Sequence, residues 1–343
     1  MKTILSEDHR LHFPQAELYG GEFVTPFERP SRVEFILNQM RECGLEAPIA
    51  PDEIDMAPVK HIHDAGYLSF LETAWADWTE AGYSGEILPT VWPGRRMPHR
   101  KPPTHIDGLI GYYALAAETA MTAGTWKAAL SSCASAQTAQ RLVAGGERSA
   151  FALCRPPGHH AAKDMYGGYC FINNAGVAAQ MFRDSGADKV AILDIDFHHG
   201  NGTQDIFYDR GDVLFASLHG QPQDAFPHFL GYADETGAGA GEGANLNYPM
   251  APGTPYSEWA VALDDAIAKI ADYRPDALVI SLGVDAYKDD PISFFKLDND
   301  DFRDAGARIE KLGLPTLFVM EGGYAVAEIG VNTVNVLQGF EGG

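Results

Sequence analysis

The chain has 343 residues, 45% of them hydrophobic and 21% charged, with 25 Lys and Arg against 47 Asp and Glu for a formal charge of −22. That composition excludes a disordered polar chain and suits one large α/β domain, since single domains of this class routinely run past 250 residues. So acidic a chain repels phosphate backbones and anionic lipid and draws in cations, which argues against nucleic-acid and membrane partners.

From the amino terminus, residues 1–10 have only Thr3-Ile4-Leu5 as an apolar stretch, too short for a signal peptide. No apolar run reaches the ~18 residues of a membrane span. Cys43, Cys133, Cys154 and Cys170 lie far apart without a C-x-x-C pair, which fits free thiols in a reducing cytoplasm. Short apolar runs at 2–5, 150–154, 190–195, 213–218, 277–282 and 316–320 read as strands. Helical patterns fall between them at about 108–123, 126–144, 174–183, 255–271 and 300–312. Thr254 is placed to cap the fourth helix, and Gly313 and Pro315 close the fifth. This alternation predicts a mainly parallel sheet wrapped by helices.

Two segments read as irregular loops. Residues 83–105 hold five prolines and the basic cluster Arg95, Arg96, His99, Arg100 and Lys101, a solvated or interface loop in so acidic a chain. Residues 236–244 are rich in Gly and Ala, but the glycine spacing is not G-x-G-x-x-G and no strand precedes it, so a dinucleotide loop is unsupported.

In a parallel α/β sheet, ligands bind beyond the carboxyl ends of the strands, and four of these runs end in unusual chemistry. The run at 190–193 leads into Asp194-Ile195-Asp196-Phe197-His198-His199-Gly200-Asn201, and strand alternation turns 194, 196 and 198 to one face. Two buried carboxylates beside an imidazole need a compensating cation. Asp285, after the run at 277–282, supplies a further carboxylate. Asp196, His198 and Asp285 would make a three-ligand site with an open position, acceptable to zinc or ferrous iron. The run at 150–154 enters Arg155-Pro156-Pro157-Gly158-His159-His160, two imidazoles suited to acid and base roles near neutrality. The run at 316–320 enters Glu321-Gly322-Gly323-Tyr324, a turn that presents a phenol at the mouth of the same sheet.

With these motifs, the sequence resembles the histone deacetylase and arginase-like superfamily, and within it the bacterial acetylpolyamine amidohydrolases. The matching blocks are SEDHRLHFPQAELYGGE (6–22), RPPGHH (155–160), GGYCFINN (167–174), DIDFHHGNGTQDIF (194–207), Ser217-Leu218-His219-Gly220, SLGVDAYKDDP (281–291) and EGGY (321–324). The resemblance implies a single α/β domain over 1–343, with about eight mainly parallel strands and helices on both faces. It implies one zinc ion on Asp196, His198 and Asp285, with iron as an alternative, because Gly283 stands where two-metal members carry a further Asp. It makes His160 the proton acceptor and donor, and His159, held by Asp194, an electrostatic support. Asn201 is then a neutral partner that leaves His160 less basic, and Tyr324 donates to the developing oxyanion. A structural potassium ion is implied at Asp194, Asp196, His198, Ser217 and Leu218.

The resemblance also implies a narrow tunnel walled by Tyr169 and Phe226, with Glu17, Asp107 and Glu118 near its entrance for the second charge of a small cationic acetylated polyamine. Glu118 reads as mid-helix, and Cys154 and Cys170 as buried packing. The loop at 83–105 matches an insertion that forms a homodimer and lids the site against bulky acetylated proteins. The expected activity is release of acetate from acetylputrescine, acetylcadaverine or acetylspermidine. The alternatives are a broader acyl-lysine or small-amide hydrolase of the same chemistry and, from another class, a catalytically silent binding protein.

Overall fold

The computed structural model describes residues 1–97 and 101–342; Pro98, His99, Arg100 and Gly343 lie outside the described residues, so two members of the basic cluster are not placed. The elements run β1 (Lys2–Ile4), β2 (Glu17–Tyr19), β3 (Glu22–Val24), α1 (Ser31–Glu42), α2 (Met56–Ile62), α3 (Ala65–Glu80), α4 (Ile106–Tyr113), α5 (Thr125–Ala144), β4 (Ser149–Ala152) and α6 (Asn174–Asp184). They continue β5 (Val190–Asp194), α7 (Asn201–Phe207), β6 (Val213–Gly220), β7 (Asn245–Met250), α8 (Tyr256–Tyr273), β8 (Ala277–Leu282), α9 (Asn299–Glu310), β9 (Thr316–Met320) and α10 (Ile329–Glu341).

Seven strands form one sheet in the order β1-β4-β9-β8-β5-β6-β7, and every pairing in it is parallel. The α/β expectation holds, with seven sheet strands among the described residues in place of about eight. Both faces are covered, so the central strands are apolar throughout and alternation only assigns each residue to a face. Val190 and Ile192 of β5, Val279 of β8 and Val319 of β9 join a core under α2 to α6. Their neighbours Ala191, Leu193, Ile280 and Phe318 join a second core under α1, α8, α9 and α10. Among the described residues no helix is long and apolar enough to cross a membrane. All four cysteines are free, and Cys133, Cys154 and Cys170 are buried.

Two local expectations change. The helix read over 108–123 stops at Tyr113, because Ala114 bridges Tyr166 and Met121 bridges Ile87, pulling this backbone into extended pairing. Glu118 therefore sits on an irregular segment. Thr254 does not cap α8: its hydroxyl donates to the Ala251 carbonyl at 2.7 Å, and Pro255 occupies the cap position. The glycine-rich stretch at 236–244 turns the chain into β7, which pairs with β6 at the sheet edge.

Candidate active site

The four strands whose ends carry the motifs, β4, β9, β8 and β5, are consecutive in the sheet. Their carboxyl-terminal loops therefore meet at one place, as the topology of an open parallel sheet requires. At its centre, ligand atoms of Asp196, His198 and Asp285 all lie within 4.8 Å of one another, and all three side chains are buried. Nδ1 of His198 is 2.9 Å from Oδ2 of Asp285 and 3.3 Å from Oδ1 of Asp196. Backbone donors fix the carboxylates: Gly322 N–H reaches Asp196 at 2.8 Å, and Phe197 N–H reaches Asp285 at 2.7 Å.

This donor set fits a divalent cation. Burial, then the neighbouring Asp196 charge, pushes Asp285 above the ordinary carboxyl range. Burial acts in the same sense on Asp196, but the positive His159 and His198 outweigh it and hold this carboxyl well below the ordinary range. Such a cluster demands positive charge, which a metal supplies without protons. The surrounding backbone leaves room for little else. A Cβ on Gly283 would fall 2.1 Å from Oδ2 of Asp196, and one on Gly322 would fall 2.6 Å from Oδ2 of Asp285. Glycine at 283 lets the strand approach the ligand cage, and no second carboxylate fits there with Asp196 where it stands.

The two histidines differ in partner. Nδ1 of His159 meets Oδ2 of Asp194 at 2.9 Å; burial opposes its charge, yet Asp194 and Asp196 outweigh burial and hold it up at about 10. Nδ1 of His160 lies 2.7 Å from Oδ1 of Asn201, whose amide nitrogen points to the His160 carbonyl at 3.4 Å. The amide oxygen thus accepts, His160 carries its proton on Nδ1, and Nε2 keeps its lone pair. Burial, followed by the charges of His159 and His198, pushes His160 well below the ordinary histidine range.

Tyr324 hangs on the loop after β9, its N–H bonded to Asp290 at 2.7 Å and its ring 5.0 Å from the Arg32 guanidinium. His160, His198 and Tyr324 line a cavity of ≈ 470 Å³. Tyr169, Phe226, Glu17 and Glu118 line the same cavity. The Tyr169 ring lies 5.6 Å from Tyr324, and Phe226 packs edge-on to His160 at 5.0 Å. Glu17, buried on β2, accepts from the Tyr169 hydroxyl at 2.6 Å and from Phe27 N–H at 3.0 Å; burial pushes it up to about 7. Glu118 accepts from Gly168 N–H at 2.9 Å. Asp107 is not brought to the cavity; it lies in the first turn of α4. Asp194, Asp196, His198, Ser217 and Leu218 are all buried, with Asp194 and Ser217 in register across β5 and β6.

A second group of metal-capable atoms, His159, Cys170 and Glu321, is otherwise engaged. Glu321 accepts from Gly158 N–H at 2.7 Å and His159 N–H at 3.1 Å, while the Cys170 thiol donates to the Gly168 carbonyl. Glu321 and Asp290 lie inside the motif blocks but carry no role there, and Glu28 and Arg32 lie outside every block. Only the Glu28/Arg32 spacing of four residues hinted at a pair on one helical turn.

Comparison with known proteins identifies the family. The histone deacetylase domain matches residues 26–340. An acetylpolyamine amidohydrolase of Mycoplana ramosa is 59% identical over 342 residues, covering 100% of each chain. Acetylpolyamine amidohydrolase 1 of Pseudomonas aeruginosa is 58% identical over 343 residues, covering 100% of this chain and 99% of its own. A crystal structure of acetylpolyamine aminohydrolase from Burkholderia pseudomallei superposes with a TM-score of 0.93 at 37% identity, over 99% of this chain and 98% of that one.

Proposed function

The chain belongs to the histone deacetylase family, and from that premise we propose that it hydrolyses the amide of acetylated polyamines, giving acetate and a free amine. The observation that carries this reading is one cavity holding His160, Tyr324 and the ligand His198 together with the carboxylates Glu17 and Glu118 on its wall. The first group does amide chemistry. The second suits a slim chain with a distant ammonium, and relatives at 59% and 58% identity bear the acetylpolyamine name.

Asp196, His198 and Asp285 would hold the ion, zinc or ferrous iron. When bound, it polarises the acetamide carbonyl and acidifies water. Nε2 of His160, freed by the bond from Nδ1 to Asn201, takes the proton of the attacking water and returns it to the leaving amine. His159, kept protonated by Asp194, stabilises the anionic charge of the transition state from behind, and the Tyr324 hydroxyl donates to the oxyanion. Buried Asp194, Ser217 and their neighbours suit a potassium ion beneath the β5 loop. We assign the 83–105 loop, with exposed Val91 and Met97, to a homodimer contact that lids the site.

Acetate release from acetylputrescine, acetylcadaverine, acetylspermidine and acetyl-lysine peptides tests the reading on the zinc- or iron-loaded protein. The acetylated di- and polyamines are expected to turn over fastest. Faster peptide turnover would replace this reading with a lysine deacylase, and no acetate from any substrate would leave a binding protein.

A further inference from the structure

We propose that Glu28 and Arg155 are positioning residues that, through Arg32, lock the histidine loop and the tyrosine loop of the site into one register. The inference rests on the catalytic roles given to His160 and Tyr324 above. The two loops leave different strands, β4 and β9, and their hydroxyl and imidazole must meet around a single amide.

Oε1 of Glu28 is the hinge of the arrangement. It accepts from Nε of Arg155 at 2.8 Å and from Nη1 of Arg32 at 3.0 Å, and all three side chains are buried. Arg155 opens the loop that carries His159 and His160, and its Nη1 also donates to the His9 carbonyl. Arg32 reaches the other loop: Nη2 donates to the Glu321 carbonyl at 2.6 Å, Nε donates to the Gly323 carbonyl at 2.8 Å, and the guanidinium sits against the Tyr324 ring. The residue just before Tyr324 and the residue opening the histidine loop are therefore joined through one carboxylate. On the opposite side the Glu321 carboxylate binds the N–H groups of Gly158 and His159.

A purely structural ion triad is a weak device, because apolar residues of equal volume fill such a space as well or better. Two guanidinium groups that share one carboxylate oxygen and are each also bonded to backbone carbonyls do fix direction, which apolar packing does not.

The test uses Glu28→Gln and the milder Arg155→Lys, each alone and combined with Tyr324→Phe, in the metal-loaded full chain. In the wild-type background each variant is expected to lower kcat roughly 10- to 100-fold, with KM within about twofold and metal content unchanged. In the Tyr324→Phe background the same change is expected to cost less than about threefold, because the group being positioned is gone. Equal losses in both backgrounds, unchanged kcat, or failure of both variants to fold would each overturn the proposal. A crystal structure of Arg155→Lys gives a readout independent of turnover. Displacement of the Tyr324 hydroxyl relative to His160 supports the lock, and unmoved loops refute it, whatever substrate the enzyme takes.

Discussion

The Nδ1 proton of His160 is held by a neutral amide, Asn201, at 2.7 Å, while its neighbour His159 faces the carboxylate of Asp194 at 2.9 Å. Adjacent imidazoles in one buried loop are thereby driven apart in basicity, one kept charged and the other kept as a free base. Environments that separate two titrating groups assign their roles. Replacing Asn201 by Asp places a charge on the second partner and raises the pKa of His160. The acidic limb of the kcat/KM profile is expected to move to higher pH in Asn201→Asp. An unmoved limb would remove His160 as the group behind it.

Tyr324 offers its hydroxyl to the cavity from a loop that Asp290 and Arg32 hold by its backbone, so the loss of one oxygen leaves the loop in place. Tyr324→Phe is expected to reduce kcat by roughly 10²- to 10³-fold, the usual size of a lost oxyanion donor, with unchanged metal content and thermal midpoint. Measuring acetate release and metal content on one preparation separates this outcome from misfolding.

The ends of β4, β5, β8 and β9 were legible because each is an apolar run that breaks abruptly into residues costly to bury. That local contrast needs no tertiary knowledge. Their adjacency in the sheet was not legible, since β8 and β9 are inserted between β4 and β5 by long crossovers. Strand β7, with Asn245, Asn247 and Pro249, lacks the usual strand composition and is extended only because β6 offers it a ladder. The helix read over 108–123 failed for a related reason, as partners at Ile87 and Tyr166 outcompeted local propensity. Glu28 and Arg155, 127 positions apart, carried no pattern that links them. Glu17 and Asp107 came from one resemblance, yet only Glu17 is folded onto the cavity wall.

Gly283 makes the ligand cage testable without touching a ligand. A methyl group there would meet Oδ2 of Asp196 at 2.1 Å, whereas Gly85 has no neighbour within 4 Å of its Cβ position and serves as the control. Gly283→Ala is expected to weaken metal retention about 10- to 100-fold on dialysis against a chelator, the range seen when the support of a metal ligand is disturbed. Gly85→Ala should retain metal like the wild type. Metal content after dialysis checks both, and full retention in Gly283→Ala would mean that the cation sits elsewhere.

Glu17 gives substrate binding its own pH dependence. Burial holds its carboxyl up near about 7 against the opposing pull of the Tyr169 hydroxyl and Phe27 N–H. The carboxylate is charged above that pH and neutral below it, while a polyamine ammonium stays protonated across the whole interval. KM for a cationic acetylated amine is therefore expected to rise as pH falls from about 8 to about 6. Glu17→Gln should have KM raised roughly 10-fold at pH 8 and flat across that window, as expected for loss of one charge-assisted contact. A KM profile unchanged by the substitution would place the ammonium elsewhere.

His63 predicts how the fold responds to acid. Its ring is buried, with Nδ1 donating to the Ala162 carbonyl at 2.9 Å and Nε2 accepting from Asn173 N–H at 3.0 Å, so both nitrogens require the neutral form. Burial pushes its pKa down to about 4, against 6.5 for an ordinary histidine, and His219 and His12 are lowered in the same way. Between those values the unfolded chain binds a proton that the native chain refuses. The stabilisation is complete above about pH 6.5 and shrinks as pH falls towards 4, by up to about 3 kcal/mol for His63 alone. Urea midpoints are expected to fall steadily from pH 7 to pH 4.5 in the wild type. His63→Gln, less stable at pH 7, should show a shallower fall, and equal slopes would assign the acid sensitivity to other groups.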